Sequence, residues 1–173
     1  MKEYERYVAD QKVTFVAKSL EEANAGIELF YFNNNRYPCP ANATLGRDDP
    51  NYGLEMLDTT SGFCMDDTGT ILTGETDIVA GMIPFKTIKL PEKQALDSWN
   101  NRLSYTISAY MASTSFSEDD YGEPSITSSK PYISIEGLDT TGATVLNDQI
   151  HYIIVSHGSS GAGAYNTQGD IAV

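Results

Sequence analysis

Several things are scarce in this sequence, and each scarcity removes a class of function. No stretch approaches the roughly 20 consecutive apolar residues that a membrane-spanning helix requires. Met1-Lys2-Glu3-Tyr4-Glu5-Arg6 does not lead into the apolar stretch of a secretory signal. Basic side chains are few: 11 Lys and Arg stand against 24 Asp and Glu, for a net charge of −13. Phosphate backbones and anionic membrane surfaces repel such a chain, so nucleic acid is not among its expected partners. Histidine occurs only at 151 and 157, and cysteine only at 39 and 64, without the spacing of a zinc finger. No phosphate-binding loop of the Walker type and no dinucleotide fingerprint is present.

What is there is the composition of one globular domain. Apolar residues make up 40% of the 173 positions and charged residues 20%. A chain of this length can bury roughly 70% of the surface its unfolded form exposes, enough for a core without metal support. We read residues 1–173 as a single domain in three parts. They are a helix (1–33), a turn-rich connection (34–80), and a sheet followed by a C-terminal loop (81–173).

The helix is read from one apolar row. Val13, Val16, Leu20, Ala23, Ile27 and Phe30 recur in steps of three and four, while Asp10, Lys12, Lys18, Glu21, Glu22 and Glu28 occupy other faces. Asn33-Asn34-Asn35 and then Pro38 supply the stop. The row is expected to hold the second half of the helix against the sheet. For the first half, a coiled-coil seam and burial on the chain's own sheet both remain open.

Between Arg36 and Val79 the pattern dissolves into Pro, Gly, Asn and Asp. Irregular connections of that length inside a compact domain are uncommon. A Cys39–Cys64 disulfide is expected to pin this one, the alternative being two free thiols of a cytosolic protein. The bond would close a loop of about 25 residues, worth roughly 3–4 kcal/mol as loop-closure entropy. A disulfide without an export signal is a conflict, which resolves if the native start lies further upstream.

Further on, Ile83 to Pro91 reads as a short docked segment and Glu92 to Leu96 as a helical turn. Asp97-Ser98-Trp99-Asn100-Asn101 is a turn signature. Strands are expected at Leu103–Ala109, Tyr132–Ile135 and His151–Ser156, the last apolar on both faces as a central strand would be. Connections too short for crossover helices make the sheet antiparallel, with three to four strands. The fold class is therefore α+β, a long helix laid on an antiparallel sheet. Ser113 to Pro131 reads as an exposed loop rich in Ser, Asp and Glu.

Three segments resemble type IV pilin-like and type II secretion pseudopilin proteins, in the family's order. Asn35-Arg36-Tyr37-Pro38-Cys39-Pro40-Ala41 is similar to the "G-R-Y/L-P-C-P-A" junction after the long helix. Leu90-Pro91 followed by Asp97-Ser98-Trp99-Asn100-Asn101-Arg102-Leu103-Ser104-Tyr105 resembles the "L-P … D-P/G-W-G-N-P/R-L-x-Y" segment that opens the sheet. Tyr152-Ile153-Ile154-Val155-Ser156-His157-Gly158 through Gly163 resembles the "Y-x-V-x-S-x-G-x-x-G" end of the last strand. The family's leader, its Glu at the fifth mature position and its membrane-spanning helix half are not in this sequence, so Lys2 to Phe32 would correspond to the amphipathic second half of the family's helix.

The resemblance implies a filament subunit that is not an enzyme. Its partners would be copies of itself or related subunits, and an inner-membrane assembly platform reached through the missing helix. It would reside at the periplasmic face of the inner membrane and then in an extracellular filament. No cofactor is implied, except that related major subunits bind calcium in the loop after the last strand. Here that loop, Ser156 to Asp170, offers Ser159, Ser160, Asn166 and Asp170, a poor set for an ion that takes six to eight oxygens.

Other readings rest on single features. Trp99 beside Asp97 and Asn100 suggests either a core aromatic fixing a turn or a sugar platform, and with it a secreted binding module for carbohydrate or cation. His157 with a nearby serine or with Cys64 would be needed for a hydrolase, although Gly158-Ser159-Ser160-Gly161 is one residue short of a nucleophile elbow. The acidic pairs Asp48-Asp49 and Asp66-Asp67 and the triplet Glu118-Asp119-Asp120 read as solvated surface.

Overall fold

The computed structural model describes residues 2–74, 77–116, 133–138 and 144–171. Helix α1 runs Lys2–Asn34, 33 residues, or about 50 Å at 1.5 Å per residue. Glu3 and Glu5 lie in its first turn, where negative charge complements the helix dipole. It ends through its asparagines. The Asn33 and Asn34 amides donate back to the Leu29 and Phe30 carbonyls, each at 2.7 Å. Asn35 takes φ 52°, the left-handed turn that closes many helices.

Strands β1 (Ile78–Met82), β2 (Ser104–Ser108) and β5 (Tyr152–Val155) form a three-stranded antiparallel sheet in the order β1-β2-β5. In register, Val79 faces Ile107 and Gly81 faces Tyr105, while Tyr105 faces Ile154 and Ile107 faces Tyr152. Strands β3 (Ile133–Leu138) and β4 (Thr144–Ile150) pair antiparallel as a separate two-stranded ribbon. The strand anticipated at His151–Ser156 exists, but it is an edge and not the centre of its sheet. None of Tyr152 to Val155 is fully buried, whereas Tyr105 and Ile107 of β2 are completely enclosed. Strands β1 and β4 are additional to the expected three. Tyr132, residues 117–131 of the acidic loop with Glu118-Asp119-Asp120, and Val173 lie outside the described residues.

The connection from Arg36 to Val79 is irregular, as its composition suggests, and three devices hold it. The first is the Cys39–Cys64 disulfide. The second is a pair of 2.9 Å contacts in which the Arg36 guanidinium grips both carboxylate oxygens of Glu55. The third is a pair of single-residue bridges from Ala41, to Glu55 on one side and Met82 on the other. Gly81 is the residue that fits there, because a Cβ at that position would collide with the Ala41 carbonyl. The core lies where α1, this connection and β2 meet, with Ala23, Ile27, Cys39, Cys64, Met82 and Tyr105 all fully buried.

Candidate assembly surface

The helix docks through most of its apolar row, extended on one side by Ser19. Ser19, Ala23 and Ile27 are buried, and Val16, Leu20 and Phe30 are half-buried around them. Val13, expected in the packing row, is 63% exposed. At 3.6 residues per turn the contact centres on Ala23, with Ser19, a small polar side chain, at one margin and Val13 at the other. Gly26 belongs to the same contact. A Cβ there would stand 3.0 Å from the Ile88 side chain, so the absence of a side chain lets Ile88 seat against the helix.

Pegs fix the helix on either side of this patch. Ser98 donates its hydroxyl to the Lys12 carbonyl at 2.7 Å, the Lys12 ammonium lies 5.4 Å from the centre of the Trp99 ring, and Lys93 sits 5.4 Å from that of Phe15. Trp99 is half-buried against the helix, neither a core aromatic nor an open platform. Its turn is built by Asp97, whose Oδ1 accepts the Trp99 and Asn101 amides, each at 2.9 Å. Higher up, the Tyr152 hydroxyl donates to the Glu28 carboxylate at 2.6 Å and lies 2.7 Å from the Asn24 amide. Burial, followed by the neighbouring Glu28 charge, pushes the Tyr37 and Tyr152 hydroxyls far above the usual phenol range, so both stay neutral.

The remainder of α1 is open. No residue from Glu3 to Lys18 is buried. Opposite the docked face runs a second row with the same three–four spacing: Tyr4, Tyr7, Gln11, Thr14, Lys18, Glu22, Ala25, Leu29 and Phe32. Its ends are apolar and uncovered, with Tyr4 at 74% and Phe32 at 80% exposure. At its middle, Lys18 and Glu22 form an ion pair across one turn at 3.7 Å. The same spacing in the sequence reveals this row, but the stronger run of Val, Leu and Ile beside it draws the eye first.

Residues with catalytic or metal-binding potential are occupied structurally. Cys64 is bonded to Cys39, which removes the thiolate reading. His157 does not reach Ser159 or Ser160 as a dyad. Its Nε2 is 2.8 Å from the Ser104 hydroxyl and its Nδ1 is 3.0 Å from the Ala162 carbonyl, so it ties the C-terminal loop to β2. Asn166 and Asp170 are together in one turn, where Asn166 Oδ1 accepts the Gln168 and Asp170 amides at 2.8 and 3.1 Å. Ser159 and Ser160 are exposed in the short 3-10 helix Gly158–Ser160. Among the described residues, no three His, Cys, Asp or Glu side chains gather to hold a metal. The Asp66 carboxylate accepts from Thr68 and Thr70 in its own turn, which holds its pKa below the usual range.

Two residues that the sequence did not single out organise the loops. Arg102, fully buried, donates to the carbonyls of Ala43, Leu45 and Thr167 and stacks on Tyr52, tying the connection to the C-terminal loop. Arg36, beyond its pairing with Glu55, donates to the carbonyls of Tyr37 and Ala112. Comparison with known proteins adds no identity: no family model, curated protein or solved structure matches the chain.

Proposed function

We propose that this chain is the head of a pilin-like or pseudopilin filament subunit, acting by packing against copies of itself or related subunits and not by catalysis. The supporting observation is the helix. A 33-residue rod, with no fully buried residue between Glu3 and Lys18, carries on the side away from the sheet a second row whose two ends are apolar and uncovered. Tyr4 with Tyr7 and Leu29 with Phe32 stand exposed at the two ends of this row, where a neighbouring subunit could cover them. The disulfide-stapled connection and the sheet would then form the outer surface of the filament, with α1 toward its axis. On this reading the protein waits at the periplasmic face of the inner membrane before entering an extracellular filament. The motifs around Pro38–Ala41, Trp99–Tyr105 and Tyr152–Gly163 support the same reading.

The test is the coding sequence upstream of Met1 in its source genome. The expected result is a short basic leader, a cleavage site before Phe, a Glu five residues into the mature chain and about 20 apolar residues. A stop codon or an ordinary cleavable signal there would end the filament reading and leave a secreted binding module in its place.

A further inference from the structure

The sheet has an edge built to be extended. In an antiparallel pair the backbone groups of alternate residues point to opposite sides of the strand. Ala109 donates to the Asp77 carbonyl and Ile83 to the Leu103 carbonyl, which places Val79 and Gly81 in the hydrogen bonds to β2 and turns Ile78, Ala80 and Met82 outward. Met82 is satisfied: it exchanges both of its bonds with Ala41, each at 2.9 Å. That outer pairing lasts one residue, because the chain turns away at Ala43 and Thr44, where Asn42 Oδ1 takes the Thr44 amide at 2.8 Å. The N–H and C=O groups of Ile78 and Ala80 therefore have no partner among the described residues, and both residues are exposed.

Where the Ala41 pairing would continue along β1 there is instead a groove of about 460 Å³, bounded by Ala43, Thr44, Asp66, Asp67 and Leu72 and floored by β1 and the outer face of β2. Its lining includes no Lys or Arg, and the Asp67 carboxylate has no partner among the described residues. We propose that this groove binds an extended basic peptide segment of another protein as an added strand beside β1. Main-chain bonds to Ile78 and Ala80 would supply register, an apolar side chain would cover Ala80 and Thr106, and a Lys or Arg would meet Asp67. Charge selects this occupant over a second copy of the chain. A second copy would bring the same two aspartates, on a molecule of net charge −13, against the first. The inference stands apart from the filament reading, since it rests on the ladder and the groove alone.

The experiment uses the whole chain with a blocked hexapeptide of alternating valine and lysine as probe, and follows amide hydrogen exchange residue by residue. The Ile78 and Ala80 amides, open in the free protein, should slow by at least about ten-fold at saturating peptide, with Val79 and Gly81 little changed. Asp67→Lys should weaken binding by about three-fold, the scale of one exposed ion pair, and added salt should weaken binding to the unaltered protein. A peptide methylated on its strand-facing nitrogens should not protect the two amides. Unchanged exchange at Ile78 and Ala80, equal binding of a valine–glutamate peptide, or protection that grows with protein concentration without peptide would each overturn the proposal, the last in favour of a second copy.

Discussion

Removing the covalent closure between Cys39 and Cys64 should cost this protein a large part of its stability, and the size follows from the sequence separation of 25. Loop-closure entropy for about 25 residues comes to about 12 cal/mol/K, or about 3.5 kcal/mol at 25 °C. Unfolding entropy near 2.1 cal/mol/K per residue gives about 360 cal/mol/K for 173 residues, so the same loss lowers Tm by about 10 °C. The native contacts that cross the loop, Arg36 to Glu55 and Met56 to the Pro40 carbonyl among them, do not reduce this figure. The bond acts chiefly by restricting the unfolded chain, whereas those contacts act on the folded one. Both sulfurs are enclosed, at 0% exposure for each cysteine, so reduction of the folded protein requires opening, and the comparison belongs at equilibrium. Guanidinium unfolding with and without reductant, followed by the fluorescence of Trp99, reads it directly, because that ring reports the docking of α1 through Lys12. A loss below about 1 kcal/mol would refute the reasoning, meaning either that the purified protein lacks the bond or that its unfolded chain already holds the two ends together.

Ile27→Asp should abolish cooperative unfolding, since it buries an unpaired charge, while Val13→Asp should change stability by no more than about 0.5 kcal/mol. Melting curves that reversed this order would put Val13, and not Ile27, in the docked face. Arg36→Met should cost about 3 kcal/mol by leaving the Glu55 charge half-served by the Cys39 amide, and adding Glu55→Gln should recover part of it; a loss under about 1 kcal/mol, or no recovery, would remove the pair from the account of the loop. Burial, only partly opposed by the Glu28 charge, holds the His151 imidazole below its ordinary pKa of 6.5. Its contribution is complete above pH 6.5 and is lost as pH falls through the lower folded value. Denaturation midpoints should therefore decline below pH 6.5, with a shallower decline in His151→Gln; equal slopes would place the effect on other groups. Phe32→Asp and Tyr7→Asp should leave Tm within about 2 °C and, on the proposed filament reading, abolish the filaments that shearing releases from source cells. Normal filaments from both variants would remove the outer row from the assembly surface.

Most of the architecture is legible in the sequence because it rests on local signals. The helix is marked by periodicity and by its asparagine stop, and the disulfide by two cysteines in a turn-rich run. The turn before β2 is marked by an aspartate spaced to catch the amides of Trp99 and Asn101. What escapes is set by tertiary contact. The docked face is offset toward Ser19 because Ser98, Trp99 and Ile88 approach from that side, and no property of a serine announces burial. Strand β1 is masked by Gly81, a residue unfavourable in strands in general and required here by the approach of Ala41. An unbroken apolar tetrapeptide reads as central, yet β5 is an edge, its core-facing Tyr152 used to hold the helix through Glu28. Arg36 and Arg102 stand in the sequence only as members of longer motifs, and nothing local announces that carbonyls of segments far away in the chain take up their donors.

Charge constrains how copies of this chain could meet. At −13 net, two copies repel each other over most of their surfaces. The repulsion reaches only about 8 Å at physiological ionic strength, so it acts on contact faces more than on approach. The outer row of α1 contains one cation and one anion, Lys18 and Glu22, already paired with each other. Every other member, from Tyr4 to Phe32, is uncharged. Helices meeting along that row therefore bury apolar and aromatic area without bringing unbalanced carboxylates together, while contacts between the loop surfaces around Asp48, Asp49, Asp66 and Asp67 would do the opposite. Assembly through the helix should consequently be only weakly dependent on salt, and assembly through the loops should strengthen as salt is added. Measuring how filament mass responds to ionic strength separates the two, and a steep rise with salt would move the contact from the helix to the acidic loops.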